Sequence, residues 1–85
     1  VIDMIKTTGD ACCDRIHELC EERKISLNKL SIVCGMTQST LSNITSGRSK
    51  NPTVSTIKKI CDGLNISLTD FFDSEHFTNL DQEIK

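Results

Sequence analysis

The sequence has no tryptophan and no tyrosine, and its aromatic side chains are Phe71, Phe72 and Phe77 alone. A chain of 85 residues makes one domain and buries only about 60–65% of the surface its unfolded form exposes. With so few rings, the core must be filled by aliphatic side chains and cysteines. No apolar run approaches the roughly 20 residues of a membrane span. The start, VIDMIKTTGD, lacks the basic segment followed by a long apolar one that marks a secretory signal. A cytoplasmic location is therefore expected, with no membrane partner. In that setting the glycosylation-type triplets Asn43-Ile44-Thr45 and Asn65-Ile66-Ser67 are coincidental. Paired C-x-x-C spacing is also missing. The five cysteines, Cys12, Cys13, Cys20, Cys34 and Cys61, are odd in number and fit neither a disulfide framework nor a zinc site. They are expected to be reduced and inert small hydrophobes, four of them buried and Cys13 at the edge of the core. A thiol-based redox or metal sensor is the alternative. His17 and His76 stand far apart with no catalytic or metal motif around either, so no enzyme, cofactor, metal or small-molecule ligand is expected. His17, beside Glu18, reads as a solvated side chain.

Acidic residues are missing from the middle of the chain. Residues 26–61 hold Lys29, Arg48, Lys50, Lys58 and Lys59 and no acid, for a net charge of +5, whereas residues 1–25 carry −2 and residues 62–85 carry −5. The overall −2 argues weakly against a nucleic-acid partner. The cationic island reverses that, because clustered charge of one sign is the electrostatic footprint of a polyanion partner.

What is present is a repeated helix pattern, with no strand alternation. From about Gly9 to Lys24, the residues Cys12, Cys13, Ile16, Leu19 and Cys20 share one face, and Asp14, Glu18, Glu21 and Glu22 fill the other. Thr8 or Asp10 is the expected cap. Ser26 can cap a second helix, Leu27 to Cys34, which Gly35 ends. Its expected buried positions are Leu30, Val33 and Cys34, with the small Ser31 allowing a close helix neighbour. Thr37 can cap a third helix, Gln38 to about Ser46, ended by Gly47. Pro52 holds Asn51 extended, so a new element starts after it. Thr53 can cap a fourth helix with Val54, Ile57, Ile60, Cys61 and Leu64 as its apolar stripe. Ser67 and Asp70 read as a capping box for a short fifth helix holding Leu68, Phe71 and Phe72.

The third helix is the unusual one. Seven of the eighteen residues in GMTQSTLSNITSGRSKNP are Ser or Thr, and none is acidic. At about 100° per residue, Leu41, Ile44, Thr45 and Thr37 share the packing side. Ser39, Ser42, Asn43 and Ser46 face away, and Gln38 can point off the helix end. Ser, Thr and Asn stabilise a helix poorly. Short neutral donors and acceptors nevertheless suit a helix lying in the major groove, where Gln or Asn can bond adenine bidentately.

LNKLSIVCGMTQSTLSNITS, residues 27–46, resembles the Cro/C1-type (XRE-like) helix-turn-helix motif, with Leu30, Ser31, Gly35, Met36, Leu41, Ile44 and Gly47 at the matching positions. NPTVSTIKKICDGLNISLTDFF is similar to the family's usual continuation. The resemblance implies an all-α, five-helix bundle of the lambda-repressor-like type. Its expected parts are an arm at 1–8, the domain at 9–73 with recognition helix 38–46, and a tail at 74–85. It implies a transcriptional regulator, a repressor, that binds a palindromic operator in double-stranded DNA as a homodimer. Gln38, Ser39, Thr40 and Asn43 fall on base-contacting positions. Ser26, Asn28, Thr37, Ser46, Arg48, Lys50 and Asn51 fall on backbone-contacting ones. Two departures stand out. Leu27 occupies a position where many members have a phosphate-contacting Gln. The Arg–Glu pair that phage repressors place between helix 1 and helix 3 is replaced by Cys20 and Thr45. A protein-interaction module, such as an antitoxin or anti-regulator, is the competing reading. For assembly, one of Phe71 and Phe72 is expected in the core. The other is expected to help the stripe Phe77, Leu80 and Ile84 cover a two-fold contact, unless the tail folds back on its own subunit.

Overall fold

Every helix of the chain begins on a hydroxyl. Thr7, Ser26, Thr37, Thr53 and Ser67 sit in extended conformation just before their helices, and each side chain accepts the backbone N–H three residues on. These caps satisfy one of the orphan donors at each helix start. They set off α1 (Thr8–Arg23), α2 (Leu27–Cys34), α3 (Gln38–Thr45), α4 (Val54–Leu64) and α5 (Leu68–Phe72), followed by a 3-10 turn at Glu75–Phe77. The computed structural model describes residues 6–46 and 52–84. Among them the fold is the expected all-α five-helix bundle, with an isolated bridge between Lys6 and Leu80 outside the helices. None of these helices is long and apolar enough to cross a membrane.

Two helix boundaries differ from expectation by about a residue. The cap of α1 is Thr7, not Thr8 or Asp10, because Asp10 is the partner that returns a carboxylate to the Thr7 N–H and closes a capping box. α3 ends at Thr45, with Ser46 as its C-cap. Left-handed residues stop α1 at Lys24 (φ 56°), α2 at Gly35 (φ 68°) and α4 at Asn65 (φ 60°).

The core joins Cys12, Ile16, Leu19 and Cys20 of α1 to Leu30 and Cys34 of α2, Leu41 and Ile44 of α3, four α4 residues and Phe71. α4 approaches α2 at Gly63, where a methyl group would lie 2.6 Å from Cys34 Sγ and 3.1 Å from the Val33 carbonyl oxygen. Ser31, not Val33, faces inward: Ser31 is buried and Val33 is 42% exposed. Val54 is also exposed, at 66%, because the first residue of α4 extends past the core. Thr37 likewise lies outside, since its extended cap geometry removes it from the helical wheel.

α1 serves the C-terminal ends of three other helices. Arg23 donates to the Leu64 carbonyl at the end of α4 (2.6 Å). Arg15 donates through Nε to Phe71 and through Nη2 to Asp70 at the end of α5, both at 2.8 Å, and pairs with Glu18. His17 and Cys13 reach the Thr45 carbonyl at the end of α3. His17 is thus exposed but not merely solvated. The carbonyls it and the arginines bind are those a helix leaves without internal partners.

Phe71 fills the core with no exposure and Phe72 is 38% exposed. The three phenylalanine rings lie together, with centroids 4.9–5.9 Å apart, which favours edge-on packing. The tail lies back on its own chain: Phe77 packs on the core, Asp81 N–H donates to the Lys6 carbonyl (2.9 Å), and Thr8 donates to Glu83 (2.8 Å). Ile84 stays 86% exposed.

Candidate nucleic-acid interface

α2 and α3 form a pair around the Gly35–Met36 turn, in which the Met36 N–H closes on the Ser31 carbonyl at 3.0 Å. Leu41 (1% exposed) and Ile44 (3%) fix the inner side of α3. Gln38, Ser39, Thr40, Ser42, Asn43 and Ser46 are all exposed. The structure therefore brings Gln38, Ser39 and Asn43 together on the outer surface of one short helix. Thr40 is more constrained, because its hydroxyl takes a hydrogen from Thr37 Oγ1 at 2.8 Å. Ser46 folds back toward the Asn43 carbonyl (3.4 Å).

Three of the expected backbone-contact residues, Ser26, Asn28 and Thr37, occupy helix starts, and Ser46 stands at the C-terminal end of α3. Ser26 and Thr37 are the caps of α2 and α3, each accepting an N–H at 3.1 Å, and Asn28 is exposed in the first turn of α2. No acidic residue sits in the first turn of α2, α3 or α4, whereas α1 has Asp10 and α5 has Asp70. The positive ends of the three central helices are thus left without a neighbouring carboxylate, the arrangement that favours phosphate. Arg48, Lys50 and Asn51 lie outside the described residues. Of the remaining island cations, Lys58 pairs with Asp62 on its own helix, which subtracts from the positive field.

Leu27 is half-buried and lines a shallow hollow of about 380 Å³ with Gln38, Ser39, Leu41, Ser42 and Thr45. An apolar side chain thus stands beside Gln38 where an amide would offer a hydrogen bond. The thiols take no part in the surface. Cys12, Cys20, Cys34 and Cys61 are buried, Cys13 is half-buried, and all five are unbridged. Burial pushes Cys12 up to about 11, helped by Cys13, and Cys34 up to about 11, helped by Cys20 and Cys61. Burial likewise raises Cys13, Cys20 and Cys61. Buried neutral thiols are poor nucleophiles, which counts against redox sensing.

The sequence matches the model of the Cro/C1-type HTH DNA-binding domain over residues 15–75. The chain belongs to the Cro/C1-type helix-turn-helix family. It is 40% identical over 62 residues to the HTH-type transcriptional regulator SlrR of Bacillus subtilis (strain 168). That match covers 72% of this chain and 41% of SlrR, so the chain spans about two-fifths of that relative. The crystal structure of the prophage Lp1 protein 11 superposes with a TM-score of 0.77 at 36% identity, covering 89% of this chain and all of that one.

Within this Cro/C1-type domain, the link between α1 and the end of α3 departs from the pattern expected from Cys20 and Thr45. The Thr45 hydroxyl bonds back to the Leu41 carbonyl (3.0 Å), and it is the Thr45 backbone carbonyl that α1 engages, through Cys13 and His17. Sequence reasoning missed these two residues. The available signal was their spacing, four apart on α1 and hence on one face, opposite a helix with no basic residue in its last turn.

Proposed function

We propose that the protein is a sequence-specific transcriptional regulator that represses by binding a palindromic operator in double-stranded DNA, in the cytoplasm, as a homodimer with α3 in the major groove. The observation that carries this reading is the outer face of α3: exposed, free of carboxylates, and set with Gln38, Ser39 and Asn43 on a helix otherwise anchored in the core. Gln38 and Asn43 read bases through bidentate amide contacts, with Ser39 and Thr40 beside them. Ser26, Asn28, Thr37, Ser46, Arg48, Lys50 and Asn51 hold the phosphate backbone and fix register. The family membership and the regulator SlrR support this assignment. A gel-shift titration of the full chain with sheared duplex DNA at low salt tests it. Retarded complexes that dissolve as salt rises are expected; no shift at micromolar protein would favour a protein partner instead.

A further inference from the structure

A helix of eight residues rich in Ser and Thr has little helical stability of its own, so besides the buried Leu41 and Ile44 the way its ends are held bears on the placement of α3. Its N-terminal end is held by the Thr37 cap. At the other end, the last four carbonyls have no partner in regular helical geometry. The Ser42 carbonyl takes the Ser46 N–H at 2.9 Å, and the Asn43 carbonyl takes the Ser46 hydroxyl at 3.4 Å. The Thr45 carbonyl, the last of the helix, is reached from α1: Cys13 Sγ lies 2.8 Å from it and His17 Nε2 lies 3.1 Å from it.

We propose that His17, supported by Cys13, is a positioning residue for DNA reading. It fixes the C-terminal end of α3. This rests on the DNA-binding function proposed above. The bond requires a hydrogen on Nε2, and both the neutral Nε2–H tautomer and the imidazolium supply it. A hydrogen bond from α1 matters here because small angular errors at a reading helix displace Asn43.

The test compares His17→Gln with His17→Met, two side chains of similar length of which only Gln can donate. Full-length wild type and both variants are titrated by fluorescence anisotropy against a duplex recovered from a random pool by the wild type, and against a scrambled duplex. Thermal melts run in parallel. His17→Gln is expected to bind the recovered duplex within about twofold of wild type. His17→Met is expected to lose about fivefold or more on it, the effect of one hydrogen bond per subunit, with a smaller change on the scrambled duplex. Equal specific-to-scrambled ratios in the two variants would overturn the proposal, as would equal losses on both duplexes. If the wild type recovers no preferred duplex, the DNA-reading function itself falls, and this inference with it. A wild type with clear preference and an unaffected His17→Met removes the inference alone.

Discussion

Gly63→Ala tests how tightly α2 and α4 are joined, and through α2 the support of the reading helix. The added methyl carbon would sit 2.6 Å from Cys34 Sγ and 3.1 Å from both Cys34 Cα and the Val33 carbonyl oxygen. Non-bonded carbon atoms rest at about 3.5–4.0 Å, so the overlap is roughly 1 Å with the thiol and several tenths of an ångström with backbone. The thiol can rotate; the backbone yields only if α2 moves. Over-packing of this kind costs about 1–3 kcal/mol, against a helix-propensity gain of about 1 kcal/mol for Ala over Gly. The net expectation is a loss of about 1 kcal/mol, or about 4–8 °C in melting temperature for a domain of this size, read by far-UV circular dichroism. Adding Cys34→Ala should recover part of the loss, because the two sites share the clash. Gly35→Ala is the contrasting control: nothing lies within 4 Å of its added carbon, yet φ is +68°. Its cost of about 1–2 kcal/mol comes from backbone strain, and no change at Cys34 should relieve it. A Gly63→Ala chain more stable than wild type would refute the reasoning, since propensity would then have outweighed a contact held to be tight.

Replacing Gln38 or Asn43 by Ala is expected to cost roughly 1–3 kcal/mol on the preferred duplex and little on random DNA; equal losses on both would mean these side chains position the helix instead of reading bases. If a dimer neutralises about six phosphates, log K should fall against log salt with a slope of about −5, and Lys50→Ala should make it shallower by about two, as titrations at several salt concentrations would show. Cys12 and Cys34 titrate near 11 in the folded protein against a usual value of 9.0. The unfolded chain therefore loses thiol protons first, and stability should fall as pH rises from about 9 to 11, with little change from these groups below pH 8; urea melts across that range in reductant check it, and a rise would contradict the burial.

The starts of α2, α3, α4 and α5 were legible because each has a hydroxyl three residues before a helical N–H, and that chemistry is local; at α1 several candidate caps stand together and Thr7 was passed over. Leu30, Leu41, Ile57 and Ile60 were legible as core because large apolar residues at helical spacing have few alternatives; of Phe71 and Phe72, the sequence showed that one would be buried but not which. Val33 and Val54 were misplaced for a related reason. Periodicity identifies a stripe, but only the assembled bundle shows which edge of α2 turns inward and that α4 begins beyond the core. The role of α1 was illegible. His17 read as a solvated side chain and Arg15 and Arg23 drew no reading, yet each meets carbonyls at the end of a helix 28–56 residues away along the chain. Such pairings depend on helix ends meeting in space. The outer face of α3 was readable by composition, since its exposed or capping positions, Thr37, Gln38, Ser39, Thr40, Ser42, Asn43 and Ser46, are neutral hydrogen-bonding residues where Lys and Glu would be usual.

The most direct test of the central claim is selection of bound sequences from a random duplex pool by the full-length wild-type chain, followed by the affinity ratio of the winner to a scrambled duplex at physiological salt. Two inverted half-sites about one helical turn apart, preferred by at least about 10³-fold, are the predicted result. Recovery of no common sequence, with equal affinity for winner and scramble, would contradict it.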